Sequence, residues 1–142
     1  MASIGVGSQS TVARFTPSGA PADFSGSNPK IDGEHKNFLN IPSNPLSPNV
    51  GAVGVAVDAV GNFYITARET EPNVVDKFTP AGEPAGSFTL PSGINEASGI
   101  AVDNSGGPST GDIWVGDGTT HIVDKFSPAG VKLIEISNPE HP

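Results

Sequence analysis

One unit of sequence occurs twice in full in this chain, and this repetition constrains the fold more than any other feature. The peptide Gly54-Val-Ala-Val-Asp58 returns as Gly99-Ile-Ala-Val-Asp103, and Val75-Asp-Lys-Phe-Thr-Pro-Ala-Gly82 returns as Val123-Asp-Lys-Phe-Ser-Pro-Ala-Gly130. The copies are separated by about 45 residues, a period typical of repeat proteins built from small sheets. Such a chain is expected to build the same structural unit again, with each copy packed on the next.

Each full copy contains four short apolar runs separated by clusters of Gly, Asp, Asn and Pro. This pattern predicts four strands joined by tight turns in an antiparallel meander. The fold class expected of the chain is therefore all-β. The predicted strands of the two full units are 54–57, 62–66, 74–78, 86–90, 99–102, 112–115, 122–126 and 132–136.

A shortened copy of the unit stands near the start of the chain. The peptide Thr11-Val-Ala-Arg-Phe-Thr-Pro-Ser-Gly19 matches the third strand and its turn, and Ile4-Gly-Val-Gly7 matches Ile113-Trp-Val-Gly116. This copy has no counterpart of the first strand of a full unit. The predicted division of the chain is a partial unit at 3–24, an insertion at 25–53, and full units at 54–90 and 99–136.

The insertion at 25–53 contains four prolines, at positions 29, 42, 45 and 48. Proline has no N–H to donate to a strand ladder, and it holds the residue before it in an extended conformation. The segment is therefore predicted to be an ordered but irregular loop, pinned by Phe38, Leu39 and Ile41. A disordered linker is the alternative.

Recurrent charged residues are assigned structural roles. Asp58 and Asp103 stand at the same turn of each unit, so we expect them to cap that turn rather than to bind calcium. Asp76-Lys77 and Asp124-Lys125 also recur, and they are interpreted as paired charges at the edge of the third strand.

Recurrent aromatic residues are expected in the core. Aromatic side chains favour strands and bury a large apolar surface when sheets pack together. Stacking of a ligand is the alternative for the aromatic residues of the second strand. The predicted core aromatics are Phe15, Tyr64, Phe78, Trp114 and Phe126.

Composition excludes several classes of partner. The net charge is −8 and the seven basic residues are scattered singly, whereas a phosphate-binding surface needs clustered Lys and Arg. We therefore expect no nucleic acid and no membrane as partners. The chain has no Cys, which excludes disulfides, thiolate metal sites and a Cys nucleophile. Because no apolar run reaches membrane-spanning length and Met1–Ser10 lacks a signal-peptide pattern, a soluble chain of unknown compartment is expected.

These motifs resemble the NHL repeat. The resemblance rests on Gly-(Val/Ile)-Ala-Val-Asp, on Gly61-Asn-Phe-Tyr-Ile65 or Asp112-Ile-Trp-Val115, and on Val-Asp-Lys-Phe, and it covers most of the chain outside 25–53. The NHL family forms β-propellers, usually six-bladed, that serve as binding platforms and in some members as enzymes. Its relatives include RNA- and protein-binding modules, kinase sensor domains and lyases of the peptide-amidating type. The peptide Phe126-Ser-Pro-Ala-Gly130 is similar to the corresponding peptide of bacterial members of the family.

The resemblance implies a β-propeller segment of about 2.75 blades, each a four-stranded antiparallel meander. Fewer than three blades cannot close a ring, so three possibilities stay open. The chain is a fragment of a longer propeller, a short protein that completes a ring as a homo-oligomer, or an open stack of blades. An open stack would expose strand edges and apolar faces, which favours association.

A propeller would bring the insertion and the loops between second and third strands to one face. Loops on a rigid scaffold are where binding residues tend to lie, although solvated loop residues are the simpler interpretation. The predicted ligand-binding residues of this face are His35, Lys36, Arg68, Glu69, Glu71, Asp117 and His121.

No pattern in the sequence identifies a catalytic site, a metal site or a cofactor. A zinc site needs three or four converging ligands, and His35 and His121 would need to meet with Glu34, Asp117 or Glu69, which nothing in their spacing requires. Gly107-Pro-Ser-Thr-Gly111 has the spacing Gly-x-Ser-x-Gly, but it forms no nucleophile elbow of the strand-turn-helix kind, because no helix is predicted. A phosphate-cradling Gly-x-Gly-x-x-Gly before a helix is absent.

The sequence favours a non-catalytic binding or scaffold module that presents propeller loops to a protein or a small ligand. One alternative is part of a propeller lyase or hydrolase with an axial metal site that uses His35 or His121. The second alternative is structural, namely self-assembly through open blade edges, for which charged changes such as Ile134→Lys would break assembly.

Overall fold

A computed structural model describes residues 11–27, 29–32, 34–40, 51–68, 73–94 and 96–137. These residues form strands and turns without any helix, so none of them lies in a helix able to cross a bilayer. The all-β fold class is thus confirmed. The strands are β1 (Thr11–Ala13), β2 (Lys30–Asp32), β3 (His35–Asn40), β4 (Gly51–Val57), β5 (Phe63–Arg68), β6 (Val74–Phe78), β7 (Pro84–Thr89), β8 (Ala97–Val102), β9 (Ile113–Asp117), β10 (Ile122–Phe126) and β11 (Lys132–Ser137).

The strands form three antiparallel sheets, which we number along the chain. Sheet 2 has the order β4-β5-β6-β7 and sheet 3 has the order β8-β9-β10-β11, so both are four-stranded meanders, as the repeat predicts. Strands β6 and β10 have the predicted bounds, while β4 and β8 begin earlier and β5 and β9 end later than predicted. In both meanders the turn between the third and fourth strands ends in a glycine with positive φ, Gly82 in sheet 2 and Gly130 in sheet 3.

Sheet 1 corrects the prediction for the insertion. It has the order β1-β3-β2, and β2 and β3 both come from the segment that the prolines led us to expect as an irregular loop. Strand β3 pairs with β1, with Val12 opposite Leu39, and a bridge from Phe15 to Pro21 adds a short strand contact beyond β1. The insertion therefore supplies the strand that pairs with one edge of β1. Ile41 and residues 3–10 lie outside the described residues.

Sheet 2 lies between the other two sheets and packs on both through alternating side chains. Phe63 and Ile65 point to one side of β5 and Tyr64 points to the other, as period-2 alternation requires. The core towards sheet 1 contains Phe24, Leu39, Phe63, Ile65 and Phe78. The core towards sheet 3 contains Tyr64, Val75, Leu90, Ile94, Ala97, Ile113, Val115 and Phe126.

Each sheet has two faces, which we name by residues that stand at equivalent positions of the repeat. The leading face carries Phe15 in sheet 1, Phe78 in sheet 2 and Phe126 in sheet 3, and the trailing face carries Val12, Val75 and Val123 in the same order. In both junctions the trailing face of one sheet packs on the leading face of the next.

The expected aromatic core is confirmed in part. Phe78, Phe126 and Tyr64 are buried, whereas Trp114 is only half-buried. The prediction is wrong for Phe15, which is 55% exposed because no described residue covers the leading face of sheet 1. The interpretation of Asp124 as an edge charge is also wrong, because its side chain is buried towards sheet 2.

The sheets run in the same direction, so each end of the molecule collects one kind of connection. Strands β4 and β8 lie side by side, and Asn104 Nδ2 donates to the carbonyl of Val57 at 3.0 Å. We call the end with the turns 58–62, 79–83, 103–112 and 127–131 the turn end. The opposite end, with residues 68–73, 90–97 and 117–121, is the loop end.

Candidate binding surface

Asp117 organises the loop end of sheet 3. It closes β9, and its two carboxylate oxygens accept backbone hydrogen bonds from three residues. Oδ2 accepts from the N–H of Glu96 at 2.8 Å, and Oδ1 accepts from the N–H groups of Thr119 and Thr120 at 2.7 and 2.6 Å. An Asp that accepts the N–H two residues on builds a local turn. The carboxylate therefore fixes the loop 117–121 and ties it to the link before β8.

The electrostatics of Asp117 follow from these bonds. Burial acts to raise the pKa of the carboxyl, but the hydrogen bonds from Thr120, Glu96 and Thr119 outweigh it and lower the pKa to about 2. Asp117 is thus ionised at neutral pH, and its negative charge is directed into the loop's own N–H groups.

The link between sheets 2 and 3 is held from both sides. Asn73 Nδ2 donates to the carbonyl of Ile94 at 2.8 Å, and the N–H of Leu90 donates to the carbonyl of Asn73 at 2.8 Å. The N–H of Gly118 donates to the carbonyl of Glu96 at 3.1 Å. Because Leu90 and Ile94 are buried in the core between the sheets, these hydrogen bonds anchor the link between sheets 2 and 3 to that core.

His121 is presented at the end of this loop, immediately before β10. Its side chain is exposed, and its φ is +58°, a left-handed conformation that non-glycine residues adopt infrequently. Within the described ranges it is the one non-glycine residue with positive φ. Such a conformation costs on the order of 1 kcal/mol and persists only where the surroundings impose it.

His35 and Lys36 lie at the turn end, not beside His121. His35 Nδ1 lies 3.4 Å from Asp23 Oδ1, and the N–H of Lys36 donates to the same carboxylate oxygen at 2.9 Å. Lys36 Nζ donates to the carbonyl of Gly26, whose own N–H donates to the carbonyl of Ala81 in a turn of sheet 2. The expectation that the insertion shares a face with the 117–121 loop is therefore corrected for these two residues.

The remaining predicted residues divide as follows. Arg68 ends β5, so its backbone lies at the loop end together with Asp117 and His121. Glu69 and Glu71 lie outside the described residues. Of the seven predicted residues, the structure brings Asp117 and His121 together on one loop. Their ligand-binding role stays a prediction.

The turn end is organised by two further aspartates, as predicted. Asp58 Oδ1 accepts from the N–H groups of Val60 and Asn62 at 3.1 and 2.8 Å, and Asp103 Oδ1 accepts from the N–H of Ser105 at 2.8 Å. Hydrogen bonds from Ser109 and Ser105 lower the pKa of Asp103 to about 2. Both carboxylates cap the turns that follow β4 and β8.

A buried ion pair was not predicted from the sequence. Asp124 Oδ2 lies 2.9 Å from Lys132 Nζ, which also lies 2.6 Å from Glu135 Oε2. Burial acts to lower the pKa of Lys132, but Asp124 and Glu135 raise it, so the pKa of Lys132 lies above its usual value. The other oxygen of Asp124 has no hydrogen-bond partner among the described residues. The recurrent Asp-Lys pairs in the sequence did not distinguish this buried carboxylate from an exposed one.

No metal centre forms in the described part of the chain. Groups of three or more His, Asp or Glu side chains placed to hold a metal ion are absent from it. His35 and His121 lie at opposite ends of their sheets, so one ion cannot take both as ligands.

Strand β4 exposes a row of valines that sequence reasoning did not single out. Val53, Val55 and Val57 are each nearly half exposed. Val55 pairs with Ile65 and Val57 with Phe63, so this row lies on the leading side of sheet 2. The row is an exposed apolar edge of sheet 2.

Comparison with known proteins identifies a fold but no family. No protein-family model matches the chain, and no curated protein matches it. Among solved structures it is similar to a protein of unknown function from Bacteroides caccae, with a TM-score of 0.55 and 16% identity. The match covers 75% of this chain and 37% of that chain, so this chain spans well under half the length of the structure it matches. At this identity the likeness concerns the fold alone.

Proposed function

We propose that the chain is a non-catalytic binding module of NHL-type propeller blades, which presents the loop 117–121 to a protein or a small ligand. One observation carries the proposal. His121 is exposed and held in a left-handed conformation by a loop whose Asp117 is fully engaged with backbone N–H groups. Backbone strain of this kind collects at functional sites and gives a reason to look for binding there.

The propeller arrangement is supported by three features. The units repeat in sequence, sheets 2 and 3 are in-order meanders, and successive sheets pack face to face with β4 beside β8. Propeller blades have this strand order and pack by their faces around an axis.

A fixed loop favours binding because little conformational freedom remains to be lost when a ligand docks. The charge of Asp117 is directed into the loop's own N–H groups, and the exposed side chains of this loop that carry polar groups are His121 and Thr119. An imidazole both donates and accepts hydrogen bonds, which suits uncharged polar groups such as peptide backbone. We therefore propose an extended peptide segment as the ligand class.

The test uses a displayed random-peptide library selected on the full chain, followed by affinity measurement of the selected peptides. His121→Asn removes the imidazole but keeps a residue type that tolerates positive φ. His35→Asn is the matched control, since it makes the same change at the turn end. We expect His121→Asn to weaken binding at least about tenfold, equivalent to about 1.4 kcal/mol, and His35→Asn to leave it unchanged.

Two results would contradict the proposal. One is a set of peptides whose affinity is the same for the His121→Asn variant and the unchanged chain. The other is a selection that yields no peptide binding above background. The enzymatic alternative, with a metal held by His35 or His121, gains no support from the geometry, because no group of three His, Asp or Glu side chains placed to hold a metal ion forms within the described residues.

A further inference from the structure

The three equivalent phenylalanines of the repeat have different environments. Phe78 and Phe126 are 0% and 1% exposed, because the preceding sheet covers the leading face on which each lies. Phe15 stands at the same place in the motif and is 55% exposed. The leading face of sheet 1 therefore carries the phenylalanine that is buried at the junctions of the other two sheets, but no described residue covers this face.

The glycines that end the turns after these phenylalanines show the same difference in environment. Gly82 and Gly130 have φ of +84° and +81°, and both lie directly against the preceding sheet. A Cβ on Gly130 would lie 2.5 Å from the Cβ of Phe88, and one on Gly82 would lie 3.1 Å from Cδ1 of Phe24. Gly19 has the same conformation, with φ of +83°, but open space where its Cβ would be.

The trailing face of sheet 3 is the matching half. Phe88 of sheet 2 pairs with Val75 in register, and Ile136 of sheet 3 pairs with Val123 in the same register. Phe88 packs on Phe126 of the next sheet, with ring centroids 5.3 Å apart, whereas Ile136 is 52% exposed. Val75 is fully buried, and Val123 is 37% exposed.

The second strands of the two sheets show the same equivalence. Lys77 Nζ lies 5.1 Å from the ring centroid of Tyr64, and Lys125 Nζ lies 5.3 Å from that of Trp114. Tyr64 is buried under sheet 3, but Trp114 is half-buried. The trailing faces of sheets 2 and 3 thus have the same plan, but within the described residues only that of sheet 2 is covered.

We propose that a second copy of this chain docks head-to-tail, with the trailing face of sheet 3 in one copy on the leading face of sheet 1 in the next. Ile136 would take the position over Gly19 and Phe15 that Phe88 takes over Gly130 and Phe126. The occupant is assigned as a second copy because the two open faces of one chain are the two complementary halves of a junction that forms twice within it.

The contact is heterologous, since two different faces of the chain meet. Heterologous contacts form a closed ring when the rotation between copies permits, and otherwise an open filament. This property separates the proposal from a symmetric dimer, in which the two trailing faces would meet each other. Variants that alter one face only can therefore distinguish the two arrangements.

The experiment measures the mass of the full chain in solution by light scattering over a concentration series. Phe15→Asp alters the leading face, Ile136→Lys alters the trailing face, and Val60→Asp is a control at an exposed apolar turn residue on neither face. Since Phe15 and Ile136 are more than half exposed, we expect both variants to keep the unfolding temperature of the unchanged chain at a protein concentration low enough to dissociate it. Ile134→Lys, on the same trailing face, serves if Ile136→Lys does not fold.

We expect the unchanged chain and Val60→Asp to associate, and Phe15→Asp and Ile136→Lys to be monomeric when each is alone. Mixed in equal amounts, the two variants should form a dimer, because one unaltered junction remains between them. A monomeric unchanged chain at all concentrations would overturn the proposal. Association of the Phe15→Asp variant to the same extent as the unchanged chain would also overturn the proposal, because it would mean that the trailing faces of two copies contact each other.

Discussion

The leading faces of sheets 1 and 3 carry almost the same sequence, and their comparison separates what a motif encodes from what its neighbours decide. Arg14-Phe-Thr-Pro-Ser-Gly19 and Lys125-Phe-Ser-Pro-Ala-Gly130 form the same turn, with glycines of φ +83° and +81°. Phe126 is buried and Phe15 is exposed. The motif therefore determines the strand and its turn, whereas burial depends on whether another sheet packs against it.

The largest difference is expected for the phenylalanines themselves. Phe126→Ala should lower the free energy of unfolding by about 3–5 kcal/mol, because it leaves a cavity between sheets 2 and 3. Phe15→Ala should change it by about 0.5 kcal/mol or less in the dissociated chain, since the ring is mostly in solvent. Denaturant unfolding of both variants at low protein concentration measures the two values. Equal losses would mean that the two faces have the same environment.

A smaller difference is expected for the two turn glycines. Gly19→Ala and Gly130→Ala both place a Cβ at positive φ, so both carry the same conformational cost. Gly130→Ala also forces the new methyl group against Phe88, which should add about 1–3 kcal/mol. The comparison of the two unfolding free energies isolates this contact. A Gly19→Ala variant at least as destabilised as Gly130→Ala would contradict the junction described above.

The smallest effect concerns the loop end, where Asp117→Asn should lower the free energy of unfolding by about 1 kcal/mol at neutral pH, because its hydrogen bonds lose their charge. The pKa of Asp117 is lowered to about 2, so its contribution is present above the ordinary carboxyl pKa and is lost as pH falls through about 2. Unfolding of both proteins as a function of pH tests this. A difference that grows as the pH falls would contradict it.

Much of the fold could be predicted because the repeat contains clear turn signals between its strands. The Pro-Ala-Gly turns place glycine where positive φ is needed, and Asp58 and Asp103 cap the turns after β4 and β8. The bounds of β6 and β10 follow directly from these signals. Strands β2 and β3 were missed because the segment at 30–40 has no match in the repeat, and its pairing with β1 is a long-range contact.

The candidate site could be predicted only in part. Asp117 and His121 were found because both flank the connection between two recognised strands. His35 and Lys36 were assigned to the wrong end, since their position depends on the direction of β3 and on the contact of Gly26 with Ala81. The exposure of Phe15 and the burial of Asp124 depend on how sheets stack, which no local pattern contains.

Successive sheets join at one repeated place, where the turn glycine of the later sheet lies against side chains of the preceding sheet. Gly130 lies against Phe88, and Gly82 lies against Pro29, Leu39 and Phe24. A double-mutant cycle of Phe88→Gly and Gly130→Ala, followed by denaturant unfolding, tests this contact directly. Phe88→Gly removes both the Cβ and the Cγ that would lie 2.5 Å from the new methyl group, so we predict a coupling energy of about 1 kcal/mol or more. Effects that add to within about 0.3 kcal/mol would contradict the account.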